Sequence, residues 1–400
     1  MLELEVRAAR LAAPLDARPE LGALWRRMVA LSEAAASMSL EQFSIPESDI
    51  LRPPLGLGTA KGEPQSARIA REIYRFMLRP GSLRSDPIGI FDRAVEATRI
   101  TDVIDDGDGG YVYYPIDVEV DIWQSGRRIF AEQAPRILRH KPPPILGALA
   151  VARLASECMP DPHPLTERLI FIAAEHELRR DLVFSDPIVA RRLDGLDQRV
   201  DANWVCPPAL ALARGGLRSW SLNRPEMREG LVQRLHGTLG RETGRLGPLQ
   251  AWSDRLNEDF QSQTQRSRRA DFANLARQTP ILNGAAVAQG LGCTERAARN
   301  FLEDATRAGH LRLLTQRRSY RLWAVPALAN MIEERRENLG RLRSKEAELP
   351  AETVAQEHVE AKSQPMQKDE DFEARCAAIL ADIDKAMAGV DVLNEKYRKP

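Results

Sequence analysis

The side chains with the clearest chemical potential lie between Ile281 and Pro326. Thr294, Arg296, Arg299 and Asn300 fall within seven residues, and Arg317 and Arg318 follow after a gap. Forked guanidinium donors, an amide and a hydroxyl are the groups that read base edges or grip phosphates on duplex DNA. Their spacing supports that use. Ala298, Leu302 and Ala305 recur at helical intervals with Phe301 beside them, which turns Arg296, Arg299, Asn300 and Glu303 to the opposite face. Thr294 is placed to cap this helix, with Glu295 at its positively polarised start. Gly309 is placed to stop it, where a residue without Cβ accepts left-handed geometry.

Two short elements precede that helix. Asn283 caps a segment running through Gln289, and Gly290-Leu291-Gly292-Cys293 forms a turn. After it, Leu311–Leu314 and Ser319–Trp323 read as strands flanking a basic tip at Gln316, Arg317 and Arg318. The order of helix, turn, helix and two-stranded wing is that of a winged helix-turn-helix. Residues 261–321 hold 11 arginines against 4 carboxylates, although the chain as a whole has a formal net charge of +0. A local basic surplus supplies sequence-independent attraction to phosphates.

Other chemistry finds less support. His176–Glu177 invites a zinc-protease reading, but the second ligand one turn on would be Arg180. Asp105, Asp106 and Asp108 lack the alternate ligand register and later glutamate of a calcium loop and read as a polar turn. The four cysteines (158, 206, 293, 376) are far apart, which argues for a reducing compartment and against structural zinc. No phosphate-binding or dinucleotide-binding glycine motif and no nucleophile elbow is present. No metal, no cofactor and no catalytic residue set is therefore expected. Met1–Glu20 has no basic start followed by an apolar core, and no apolar run is long enough to span a bilayer. The reading is a cytoplasmic protein without membrane partners.

The elements expected to position these residues are mostly helices. Residues 1–18 are weakly patterned, and Pro19 opens a helix with Leu21, Leu24, Trp25, Met28, Leu31 and Ala35 on one face. Prolines and glycines over 44–62 mark a linker. Helices are expected over Gln65–Leu78, Asp86–Thr98, Pro143–Cys158, Leu165–Val183 and Ile188–Val200, with a small β element near residues 111–122. Short helices broken by Gly and Pro are expected through Gly247, then a longer one over Leu249–Asn274. Ala327–Lys345 is a charged helix, and Phe372–Tyr397 carries an amphipathic seam suited to a coiled coil or to docking on its own chain. The domains read as 1–62, 63–260, 261–326 and 327–346, a flexible linker at 347–370 and a last helix at 371–400.

Two resemblances accompany this reading. Glu33–Leu51 resembles the N-terminal segment of Fic-family proteins, where a Ser or Thr stands four residues before a Glu on an inhibitory helix; Ser37 and Glu41 match, while Gln42 stands where that family has Gly or Asn. His163-Pro164-Leu165-Thr166-Glu167-Arg168 resembles the start of the motif with which those proteins transfer a nucleotide from ATP to a hydroxyl. The family's Gly-Asn-Gly phosphate cradle is missing, so the resemblance implies a fold and a degenerate site without transferase activity. Over residues 20–325 the chain is similar to a family of plasmid-borne bacterial proteins with an uncharacterised N-terminal domain and a C-terminal helix-turn-helix DNA-binding domain. That resemblance implies architecture rather than mechanism.

The expectation is a mainly α protein: a multi-helix N-terminal domain with a small β element, a winged helix-turn-helix and a charged helical tail. Its leading function is DNA binding, as a transcriptional or plasmid regulator acting as a homodimer on double-stranded DNA. A degenerate Fic-like nucleotide-binding or nucleotidyl-transfer protein and a partner-binding adaptor are the alternatives. A small-molecule ligand of the N-terminal region is left open.

Overall fold

A computed structural model of the chain describes residues 2–40, 43, 45–51, 65–98, 120–159, 164–184, 225–260, 268–315 and 321–348. Within these the protein is mainly helical, with one small three-stranded sheet. The first helix, α1 (Leu2–Ala17), forms where the sequence is weakly patterned. Leu4, Ala8, Leu11, Ala12 and Leu15 are nonetheless all buried, a stripe at helical spacing that Pro14 and the alternating charges disguise.

Helix α2 (Pro19–Leu40) runs through the interior and is buried on every side from Leu21 to Met38, not on one face. Its charged residues are accommodated by partners: Arg26 reaches Asp16 at 3.3 Å, and Arg27 donates to the carbonyl of Gln278. Short α3 (Glu47–Leu51) follows. Next come α4 (Gln65–Leu78), with Ala67, Ile69, Ala70, Ile73, Phe76 and Met77 buried as their spacing requires, and α5 (Pro87–Thr98).

Helix α6 (Val120–Arg139) corrects the sequence reading. Val120–Ile122, assigned to the small β element near residues 111–122, are helical; residues 111–119 lie outside the described set. The alternation that suggests a strand there gives way to Phe130, Ala134, Ile137 and Leu138, which are buried at helical spacing and override local propensity. Phe91 of α5 packs against Phe130 and Trp123 of this helix, with ring centroids 4.8 and 5.5 Å away.

The most extensive helix pair is α7 (Pro144–Cys158) with α8 (Pro164–Phe184). The start of α7 is capped in trans: Glu5 Oε1 of α1 accepts from the amides of Ile145 and Leu146 at 2.7 and 3.2 Å. Helix α9 (Pro225–Phe260) is a single 36-residue element where short helices and a break near Gly247 are expected. Its stripe of Leu235, Leu239, Leu246, Leu249, Trp252, Leu256 and Phe260 is continuous and buried, and burial of that stripe against α1 and α10 overrides the glycines and Pro248. The expected helix through Asn274 is two elements, because α9 ends at Phe260 and α10 spans Arg269–Gln278. The expected helix at Ile188–Val200 and the seam at Phe372–Tyr397 lie outside the described residues.

The remaining elements are β1 (Ile281–Leu282), α11 (Gly284–Leu291), α12 (Glu295–Arg307), β2 (Arg312–Leu313), β3 (Trp323–Ala324) and α13 (Pro326–Glu348). The sheet order is β1-β3-β2, antiparallel throughout, with Ala324 opposite both Ile281 and Arg312. The buried apolar residues of all these elements form one continuous cluster from Leu4 to Ile332. Among the described residues no helix is long and apolar enough to cross a membrane.

Candidate nucleic-acid interface

Helix α11 starts as its sequence dictates. Asn283 has extended backbone, and its side chain accepts from the amide of Ala286 at 2.7 Å. The helix ends at Gly292, whose φ of +56° is the left-handed conformation that glycine tolerates best. The amide of Cys293 returns to the carbonyl of Ala288 at 3.0 Å and that of Gly292 to Gln289 at 3.3 Å, which satisfies two terminal carbonyls. Two residues later Thr294 opens α12, accepting from the amide of Ala297 at 3.3 Å. Gly309, at φ +77°, closes it, with the amide of His310 bonded to the carbonyl of Ala305 at 2.8 Å.

The inner face of α12 is fixed by Ala298, Leu302 and Ala305, all at 0 % exposure. Phe301 stacks on Phe272 of α10 at 5.5 Å, and Phe272 meets Phe260 of α9 at 5.4 Å. Arg268, just before α10, donates to the carbonyl of Gly292 at 2.7 Å and so braces the turn between α11 and α12 from outside. Trp252 donates to the carbonyl of His310 at 2.8 Å, and His310 Nε2 lies 2.7 Å from Asp259 Oδ2. Helix α12 therefore sits against a packed aromatic base with both ends closed, leaving little freedom for its outer face.

On that outer face Thr294, Arg296, Arg299 and Asn300 are all exposed. They are not equivalent. Arg299 Nη2 lies 3.3 Å from Glu295 Oε2, and Arg307 pairs with Asp304. Arg321, just before β3, reaches Glu303 at 3.3 Å. Among the described residues Arg296 and Asn300, one turn apart, have no hydrogen-bond or ion-pair partner. The helix carries three arginines and three acids, so the basic surplus of the region lies outside it. Part of that surplus is engaged in structure, since Arg312 binds Glu333 and Asn330 of α13 at 2.7 Å each. Arg317 and Arg318 lie outside the described residues. Sequence reasoning missed Arg268 as a brace and β1 as the third strand. Neither carries a local signal, because one is a side chain meeting a carbonyl 24 residues away and the other is only two residues long.

The residues of the nucleotidyl-transfer resemblance meet in part. Ser37 Oγ of α2 lies 3.5 Å from Arg168 Nη2 of α8 and 3.2 Å from Glu33 Oε1, and all three side chains are buried. Thr166, Glu167 and Arg168 are in continuous helix, and burial pushes the Glu167 carboxyl up to about 7 against the opposing pull of Ser156 and Arg168. Glu41 and His163 lie outside the described residues. His176 and Glu177 are buried; Glu177 Oε1 accepts from Ser82 Oγ at 2.8 Å and Oε2 from the amide of Arg84 at 3.3 Å, which fastens the turn before α5. No protein-family model matches this chain, and no curated protein matches it.

Proposed function

We propose that the protein binds double-stranded DNA through α11 and α12, as a transcriptional or plasmid regulator. One observation carries the reading: a helix capped at both ends and packed on an aromatic base presents Arg296 and Asn300 one turn apart, without partners among the described residues. Guanidinium and carboxamide are the side-chain groups that bind guanine and adenine in bidentate fashion, and a recognition helix must be held rigidly to aim them. Thr294 has a different role, because its hydroxyl is engaged as the helix cap. Arg317 and Arg318 are assigned to flanking phosphates on the sequence pattern alone.

Selection of binding sites from random duplexes by the full chain, followed by salt titration, tests the assignment. Arg296→Ala or Asn300→Ala is expected to cost about 1–3 kcal/mol on the selected site and to flatten discrimination at one position. Arg317→Ala is expected to weaken all sequences alike and to reduce the salt slope by about one. Failure of the full chain to retain any duplex at low salt would overturn the reading. The balanced charge of α12 favours the second reading, an adaptor that uses this face for a protein partner.

A further inference from the structure

We propose that Glu295 is a base-discriminating residue of this interface, selecting a base that presents an amino group beneath the start of α12 and rejecting guanine there. The inference rests on the DNA-binding reading above. Glu295 is the first residue of α12, at the end that reaches base edges when such a helix enters the major groove. The other two acids of the helix lie in its C-terminal half, paired with Arg307 and Arg321. Only Glu295 places a carboxylate at the reading end.

A free carboxylate among phosphates is repelled, so Glu295 must hold a donor when DNA docks. Its present donor is Arg299, 3.3 Å away, with the two side chains 61 % and 63 % exposed. An ion pair that open to water contributes little and is readily exchanged. Cytosine N4 and adenine N6 are the two major-groove donors on base edges, whereas guanine N7 and O6 and thymine O4 only accept. Over cytosine or adenine the carboxylate gains a hydrogen bond, and Arg299 is released to a neighbouring guanine or phosphate. Over guanine the carboxylate faces two acceptors, and the pair with Arg299 must be retained in a desolvated groove. Discrimination thus comes mainly from the penalty on the wrong base.

The test compares site selection by the full chain and by Glu295→Gln, since the amide keeps the size of the side chain but both donates and accepts. The wild-type chain is expected to prefer cytosine or adenine over guanine roughly ten- to a hundredfold at one position. In Glu295→Gln that preference disappears, the preferences at other positions persist, and random duplex is held several-fold more tightly at low salt. If wild type and variant bind DNA with the same base preference at every position, Glu295 is only a helix-start residue and the proposal is overturned. If the wild-type chain retains no duplex, the DNA-binding reading itself fails, and this proposal with it.

Discussion

Arg335 and Glu47 offer the sharpest test of how α13 is joined to the helices of the N-terminal region. They are 288 residues apart, yet Arg335 Nε and Nη2 bind Glu47 Oε1 and Oε2 at 3.0 and 2.9 Å, and Nη1 reaches Ser39 Oγ at 3.3 Å. The side chains are 6 % and 1 % exposed, so water cannot replace either partner. Glu47→Ala removes two charge-assisted hydrogen bonds and strands a guanidinium inside the protein. Breaking a buried pair in this way costs about 3–5 kcal/mol. Replacing both partners by apolar side chains of similar size, as in Glu47→Leu with Arg335→Met, removes the burial penalty along with the attraction and is expected to be near neutral. Urea unfolding of the two single variants and the double variant gives the coupling, expected to exceed about 3 kcal/mol when the singles are costly and the double is not. Hydrogen exchange should show loosening of α3 and the first half of α13 in Glu47→Ala. A Glu47→Ala cost below about 1 kcal/mol, or a double variant as unstable as the singles, would refute the reasoning.

Two further outcomes follow from the buried helices. Glu167 has its carboxyl raised to about 7, so the folded state keeps a proton that the unfolded chain has already released, and stability falls as pH climbs from the ordinary carboxyl range through 7. Glu167→Gln should remove up to about 3 kcal/mol of that fall between pH 5 and pH 8; parallel pH–stability curves for the two chains would contradict it. Glu5 caps the start of α7, and Arg179, 3.6 Å from it, keeps Glu175 as its nearer partner, so Glu5→Ala should cost about 1–2 kcal/mol, through the lost helix cap. Glu5→Gln, which still accepts from the two amides, should recover part of that loss in thermal unfolding.

Elements whose ends are written locally were legible from their residues alone. Asn283, Thr294 and Gly309 cap or stop their helices as read, and Gln65–Leu78 is the helix that its apolar spacing implies, because a cap or a stripe acts within a turn or two of its own position. Mainly helical architecture and the exposure of Arg296, Arg299 and Asn300 were legible for the same reason. The other features depend on packing between distant segments. Helices α1 and α6 and the unbroken α9 form because distant surfaces bury stripes that local propensity leaves ambiguous. That packing also separated side chains that look alike in sequence. Arg299 is engaged by Glu295 and Arg312 by Glu333, while Arg335 is sealed against Glu47. An arginine's own residue type does not say which carboxylate it will meet, because that depends on where elements far apart in the chain come to pack.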